Sequence, residues 1–572
     1  MNDINITYCL ITTLLGLFCS TYNAKSQIPF DENYREEALR NQEYITLFTD
    51  RNLYAVNERI YFSAFYRKGQ DPAKESWSKV LYVELVTPSG SPVTKAKFHL
   101  NEKGSSGYLL VPADALTGNY YLRSYTRWMQ NFGPESYCYT PLAIINPYTK
   151  EVLTGNNEPS DLDADLIRMS SPGVTCRTNK NSYVSGEEVM LELSFLASDD
   201  MLPGEYCLTV VNTGLCDTLY TQVSVGETSG GRDFRFNYLP EIRGVSISGS
   251  VVNRKDLAPA RRVRLHFSIS GKQAEYFGTL TDKLGRFILT LPERTGTQEI
   301  FVACESEGDA EKEIRIDQDF ASDPIPFRTG QFTLSPFKKE IATRMVLNMQ
   351  FSNVYQGVQT NPSPESVNDS IVPFYGKPTS SINLEEFIEL PTMNEVFVNL
   401  VPDVFVFYNK GEPYLKIYSS FNNSIFPPLM LIDKIPVFDH KAIFSIDPKR
   451  LERIEVVNDV YVRGGMMYGG MIFLTSRQGD MAAVDLPEGS YFFDYQAFHP
   501  GDAQVQYTPS ERIPDTRNTL LWIDKITLDP EEMKTLQFTA SQQTGEYIVL
   551  VRGVSPLGEI VYGMSTFNVE RK

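Results

Sequence analysis

The chain has little of what most enzyme chemistry requires. Its 572 residues include four His, three Trp and seven Cys. So few imidazoles leave little provision for acid–base or zinc work. Positive charge is also in deficit: 53 Lys and Arg face 71 Asp and Glu, for a net charge of −18. A surface of that sign has no general attraction for DNA, RNA or anionic lipid, so no nucleic-acid partner is expected. Long apolar runs are missing as well. The longest, residues 9–18, falls well short of the roughly 20 residues of a spanning helix, so no transmembrane helix is expected. Its length suits the apolar centre of a secretory signal, and Ala24-Lys25-Ser26 sets small residues before a cut at Gln27. Residues 1–26 are therefore expected to be a signal peptide on an exported protein. Five cysteines would remain, Cys138, Cys176, Cys207, Cys216 and Cys304, with no C-x-x-C spacing. That set is neither a disulfide framework nor a zinc site. Cys207–Cys216 is the one candidate bridge, and buried free thiols are the simpler reading.

What the chain does have is 32 Tyr and 34 Phe, a composition that favours strands. It also has an internal repeat. Thr49-Asp-Arg-Asn-Leu-Tyr54-Ala-Val-Asn-Glu58-Arg-Ile60 returns as Thr178-Asn-Lys-Asn-Ser-Tyr183-Val-Ser-Gly-Glu187-Glu-Val189. In each, a basic strand end leads to Tyr, a turn at Asn57 or Gly186, and an alternating strand after Glu. A closing signature follows each copy, Gly118-Asn-Tyr120 and Gly204-Glu-Tyr206. A third, Gly545-Glu-Tyr547, lacks a visible opening partner. Units of this kind with frequent turn residues read as β-sandwiches.

The Tyr-x-x-Gly-Glu-x-Val and Gly-x-Tyr patterns resemble the macroglobulin-type sandwiches of the alpha-2-macroglobulin family. With Tyr121-Leu-Arg-Ser-Tyr-Thr-Arg-Trp128, the chain resembles exported Bacteroidota proteins that open with such a domain. Gly249-Ser-Val-Val, Pro259-Ala-Arg-Arg-Val263 and the hairpin Thr281-Asp282-Lys-Leu-Gly285-Arg-Phe287 resemble the transthyretin-like regulatory domain of carboxypeptidases. Leu429-Ile432-Asp433 with Pro436, Ile446-Asp-Pro448 through Val456, and Tyr461 through Tyr468-Gly469-Gly470 to Thr475 resemble the plug domain of TonB-dependent receptors. The 91 residues after 481 hold no room for the long barrel of such a receptor, so a plug without its barrel is expected.

The expected fold class is mainly β and multi-domain, with several Ig-like or macroglobulin-like β-sandwiches and one small α+β plug-like domain. The expected segments are a macroglobulin-like sandwich at 39–148, a second at 172–240 and a transthyretin-like domain at 242–320. A helix, loop and plug-like domain at 334–481 and a C-terminal sandwich at 485–572 complete the set. Phe337, Ile341, Met345 and Met349 fall at i+4 steps after Ser335-Pro336, which predicts a helix there.

Candidate chemistry is thin. His99-Leu-Asn-Glu102 spells H-x-x-E but sits in a strand–turn–strand run, with the other His in other modules. Asp161, Asp163 and Asp165 read as a solvated linker in preference to a calcium site. Arg463-Gly-Gly-Met-Met-Tyr-Gly-Gly470 lacks the Lys-Ser/Thr of a phosphate loop and reads as a β-turn. The Gly-Cys-Gly-Glu-Gln thioester run of full macroglobulins is absent. Thr218 and Ser370 match the short O-glycosylation acceptor pattern of Bacteroidota. No catalytic, cofactor or metal residue is assigned, and no cofactor is expected.

The resulting expectation is a non-enzymatic exported scaffold or binding protein, periplasmic, outer-membrane-associated or at the cell surface. Its partner would be a protein such as an outer-membrane β-barrel or transport complex, with peripheral membrane association. The resemblance puts that partner on the plug-like segment carrying Asp433, Pro436, Tyr461, Tyr468 and Gly469. The alternative is a non-covalent, macroglobulin-like protease inhibitor or protease sensor with residues 357–383 as its bait.

Overall fold

The computed structural model describes residues 41–69, 77–153, 164–168, 171–195, 204–216, 220–225, 237–271, 274–291, 293–305, 311–322, 331–356, 373–418, 426–463, 465–501, 515–529, 533–555 and 558–572. The chain is mainly β and divides into several sheets. Among the described residues no helix is long and apolar enough to cross a membrane.

The first sandwich has eight strands: Glu43–Thr49, Leu53–Ala55, Arg59–Lys68, Val80–Val86, Pro92–His99, Ser105–Leu110, Gly118–Tyr125 and Cys138–Ile145. Strands one, three and six form one sheet, and five, four, seven and eight the other. The short second strand runs parallel to the eighth, Leu53 opposite Ala143. Strands Ala164–Arg168 and Tyr220–Val225 extend the larger sheet. The stretch containing Asp161, Asp163 and Asp165 is thus partly a strand; Asp161 and Asp163 lie outside the described residues.

A second sandwich repeats this plan strand for strand. Its strands are Val174–Thr178, Ser182–Val184, Glu188–Phe195, Gly204–Asn212, Thr519–Leu528, Lys534–Thr539, Gly545–Val554 and Ile560–Glu570. One, three and six again form one sheet; five, four, seven and eight form the other. The second again runs parallel to the eighth, Ser182 opposite Asn568. The two segments expected as separate sandwiches, 172–240 and 485–572, therefore build one domain. Neither half could close a core alone, because Val189, Leu191 and Leu193 face Val549, Val551, Phe567 and Val569 in a single buried cluster. In the first sandwich residues 87–91 join strands four and five; in the second, residues 213–518 occupy that connection. The missing partner of Gly545-Glu-Tyr547 is thereby found. It opens strand seven, as Gly118-Asn-Tyr120 does, whereas Gly204-Glu-Tyr206 lies on strand four. Tyr547 donates its hydroxyl to the Gln543 carbonyl at 3.1 Å, and Tyr120 to Leu116 at 2.8 Å, each four residues back. This is the corner device that fixes a strand entry in sandwiches.

The opening motif also repeats atom for atom. Asn57 and Gly186 take positive φ, 66° and 79°. The Glu that follows accepts the backbone N–H of Ala55 at 2.6 Å or of Val184 at 2.8 Å. The Tyr hydroxyl donates to Asp50 at 2.7 Å in the first copy and to Asn179 in the second. Tyr and Glu are thus needed to satisfy the backbone of a sharp turn, which explains their spacing in both copies.

The insertion contains two more bodies. The third sandwich pairs strands Ser246–Asn253, Arg286–Thr290 and Lys312–Ile316 against Arg264–Ile269, Glu275–Leu280 and Thr297–Cys304. Strand Tyr491–Gln496, from the segment expected as C-terminal, completes its second sheet beside Thr297–Cys304. The 281–287 hairpin forms as its residues dictate. Asp282 accepts the N–H groups of Leu284 and Arg286, both at 2.8 Å, and Phe287 returns to the core. Gly285 has φ +72°, and a Cβ there would meet the Val251 carbonyl oxygen at 2.7 Å. One continuous buried cluster joins this sandwich to the first.

The helix Pro336–Gln356 carries Ile341, Met345 and Met349 buried against Leu53, Leu215 and Leu550, while Phe337 is exposed. An α+β body follows. Its five-stranded sheet takes the order Ser380–Asn383, Leu451–Val457, Met471–Ser476, Leu429–Ile432, Ile435–Pro436. Helices Met393–Leu400 and His440–Phe444 contribute to its core. Thr392 caps the first of them by accepting the Glu395 N–H, and Glu at N3 makes the Thr-x-x-Glu signature. Two hairpins, Val404–Asn409 with Glu412–Ile417 and Tyr461–Arg463 with Met466–Tyr468, belong to this body, the first burying Val404, Leu415 and Ile417 in its core.

Candidate functional site

A cleft of about 840 Å³ opens where the third sandwich meets the α+β body. Ser268 to Gly271, Ala274, Glu275 and Arg294 line it from the sandwich. The α+β body supplies Phe374, Tyr375, Lys434, Arg453, Glu455, Arg463 and Phe473, among others. The inner strand Arg264–Ile269, paired on both sides, and the hairpin 461–468 each supply residues to the walls.

Charge is organised across this cleft. Glu275 pairs with Arg294 at 2.8 Å and with Arg463, so one carboxylate from the sandwich serves two guanidiniums, one from each body. Arg463 also lies 4.8 Å over the Phe277 ring. Glu455 accepts the Tyr375 hydroxyl at 2.7 Å and stands 4.0 Å from Arg453. Lys434 donates to the Gly271 carbonyl across the junction at 3.2 Å. The phenol of Tyr375 is pushed up by burial first and by Glu455 second.

The five residues expected to meet a partner have diverse fates. Asp433 and Lys434 form the two-residue turn between Leu429–Ile432 and Ile435–Pro436, both with positive φ, 48° and 74°. Such a turn matches the twist of a tight hairpin. The Asp433 carboxylate accepts the Ser476 N–H at 2.8 Å, the Ser476 hydroxyl at 2.6 Å and the Met481 N–H at 2.9 Å. It lines the cleft with its acceptors committed to its own chain. Pro436 is buried on the sheet edge opposite Leu431. Gly469 is buried and donates its N–H to the Pro427 carbonyl at 3.0 Å. Tyr461 is half-buried beside Tyr468 and Phe374.

Tyr468 is used inside the molecule. It packs with Tyr276 of the third sandwich, and the two hydroxyls lie 2.7 Å apart. Tyr276 in turn reaches Nδ1 of His266 at 2.6 Å, and His266 Nε2 lies 3.2 Å from Glu305. Burial holds the His266 imidazole below its ordinary range, so the ring is neutral near pH 7. This carboxylate–imidazole–phenol–phenol chain fastens the α+β body to the sandwich. Of the five, Tyr468 reaches the other body, whereas Pro436 and Gly469 are buried against their own.

Sequence reasoning missed Glu275 and Arg294. They sit on the other body, far from 433–469 in sequence, and no local spacing marks them. Arg463 stood in the Gly-rich run and reads there as part of a turn; it ends the strand Tyr461–Arg463, paired with Met466 across the hairpin. The other singled-out residues lie elsewhere. His99 stacks on Phe498 with ring centroids 3.6 Å apart. Cys207 and Cys216 are free, which removes the candidate bridge. Cys207 packs with Phe48, Trp522 and Ile560, and Cys216 with Leu53, Ile341 and Leu550, in two different buried clusters. Thr218 and Ser370 fall outside the described residues.

No family model matches the sequence, and no curated protein matches it. Matching solved structures include Salmonella alpha-2-macroglobulin reacted with methylamine, 8% identical with TM-score 0.23 over 92% of this chain and 39% of that one. Trypsin-activated alpha-2-macroglobulin from Escherichia coli is 9% identical with TM-score 0.22, over 93% and 42%. Dimeric latent PorU from Porphyromonas gingivalis is 10% identical with TM-score 0.15, over 49% and 34%. The chain spans about two fifths of the length of the alpha-2-macroglobulin structures it matches.

Proposed function

We propose that this is an exported, non-enzymatic binding protein, a scaffold of macroglobulin-like and related sandwiches. In this reading its cleft between the third sandwich and the plug-like body receives an acidic, aromatic-bearing segment of a protein partner. The observation that carries the reading is the cleft's composition in a chain of net charge −18. Lys434, Arg294, Arg453 and Arg463 meet Glu275, Glu455 and Asp433, and the last is spoken for by Ser476 and Met481. A local excess of cations beside Phe374, Tyr375 and Phe473 favours an anionic ligand with rings. An outer-membrane barrel or transport complex is the partner class suggested by the plug resemblance, with the protein in the periplasm or on the outer membrane.

The test is fluorescence anisotropy of the purified chain with two labelled peptides of equal length, one Glu- and Tyr-rich and one with every Glu replaced by Lys. The acidic peptide is expected to bind more tightly, with affinity falling as salt rises. Equal binding of both, or of neither, would sink the proposal. The protease-inhibitor alternative needs 357–383 as an accessible bait, and Phe374 and Tyr375 of that stretch pack against Phe473.

A further inference from the structure

Where the first sandwich meets the third, a lysine, an aspartate and a glutamate are buried together. Lys97, on the fifth strand of the first sandwich, is 1% exposed. Its Nζ stands 2.6 Å from Oδ2 of Asp319, donates to the Gln496 carbonyl at 2.8 Å, and lies 4.0 Å over the Tyr495 ring. Asp319 follows the strand Lys312–Ile316 of the third sandwich, and its Oδ1 has no hydrogen-bond partner among the described residues. Glu241 completes the group. It accepts the Tyr82 hydroxyl and the Ser246 N–H, both at 2.8 Å, and interacts electrostatically with Lys97 and Asp319. The rings of Tyr82, Phe320 and Tyr495 surround the ammonium. Arg127 lies 4.0 Å from Glu241.

Two features set this cluster apart from a surface ion pair. A low-dielectric, ring-walled site disfavours the charged form of the lysine. Burial holds the Lys97 amine below its ordinary range accordingly. The close N···O contact also sets the amine roughly within the ~3.5 Å range in which a nucleophile attacks a neighbouring carbon. Burial pushes the Glu241 carboxyl up to about 7, so near neutral pH it can both accept and return a proton.

We infer that Lys97 and Asp319 condense into an intramolecular isopeptide bond that ties the first sandwich to the third. Nζ passes one proton to the Asp319 oxygen it contacts and attacks Cγ, and the C–N bond forms as the C=O opens. The tetrahedral intermediate then expels one oxygen as water. That oxygen leaves with the proton Nζ passed to it and with one further proton from nitrogen, which Glu241 takes up and delivers. Glu241 is regenerated, the product is a secondary amide, and no oxidant, reductant or cofactor takes part.

The experiment is tryptic peptide mapping of the full chain by mass spectrometry. Trypsin cannot cut after an acylated Lys97, so residues 96–103 and 316–328 should appear as one branched peptide. That species should be about 18 Da, one water, lighter than the two peptides summed. Lys97→Met should abolish it. Asp319→Asn should still link, losing about 17 Da as ammonia. Glu241→Gln should leave the chain folded and unlinked. Cleavage after Lys97 with 316–328 recovered as a linear peptide in the wild type would overturn the inference. A bond that persists undiminished in Glu241→Gln would overturn the role given to Glu241.

Discussion

Removing the Phe567 ring is expected to loosen strands in the other half of the chain. Phe567 is 1% exposed on the last strand of the second sandwich. Its ring meets Tyr183 edge-on at 5.5 Å and stacks on Tyr547 at 5.7 Å. Phe→Ala at such a site costs about 3–5 kcal/mol, the sum of lost burial and a residual cavity. Hydrogen exchange read segment by segment suits a multi-domain chain, because each body then reports its own opening free energy. Protection should fall by about a hundredfold or more in both Glu188–Phe195 and Lys534–Thr539, which pair in one sheet, and stay unchanged in Val80–Val86 of the first sandwich. Tyr183→Ala should produce the same pattern. The double variant should fall short of additivity by about 0.5–1.5 kcal/mol, the coupling of an aromatic pair in contact. Strict additivity, or loss of protection confined to residues 519–572, would refute the joined sandwich.

Two further outcomes follow from individual residues. Glu241 has a folded pKa raised from 4.5 to about 7 by burial, so its contribution to stability is fully present below pH 4.5 and is lost as pH rises toward 7. The loss is about 1.4 kcal/mol per pH unit, on the order of 3 kcal/mol across that window. Urea midpoints of Glu241→Gln should lack this slope, and an unchanged slope would contradict the assignment. At Gly186, φ is +79° with open space where a Cβ would stand, so only backbone strain opposes a side chain. Gly186→Ala should lose about 1–2 kcal/mol in thermal unfolding and Gly186→Asn far less, as Asn57 holds the equivalent place; equal losses would contradict the equivalence.

Local devices were legible in the sequence, and long-range closure was not. The Tyr54/Glu58 and Tyr183/Glu187 motifs, the Asp282–Gly285 turn and the Ile341–Met345–Met349 stripe each act within a few residues, so spacing alone reveals them. The second sandwich escaped because its fourth and fifth strands are joined through residues 213–518, and nothing near Asn212 or Thr519 marks that they pair with one another's neighbours. Gly204-Glu-Tyr206 read as a closing signature because it shares a pattern with Gly545-Glu-Tyr547, although only the latter makes the corner bond. The cleft was half legible. Asp433 lay in a recognisable turn and Arg463 beside one, whereas Glu275 and Arg294 acquire meaning only when a second body is docked against theirs.

Charge reversal in the cleft is the most direct test of the binding account. Lys434 and Arg453 are well exposed on the cleft wall, so Lys434→Glu/Arg453→Glu should leave the fold intact. Titrated with the acidic peptide and its Lys counterpart at low salt, the double variant should lose about tenfold or more for the first and gain for the second. An unchanged preference for the acidic peptide, with the variant folded, would contradict the claim that this cleft is where the protein binds.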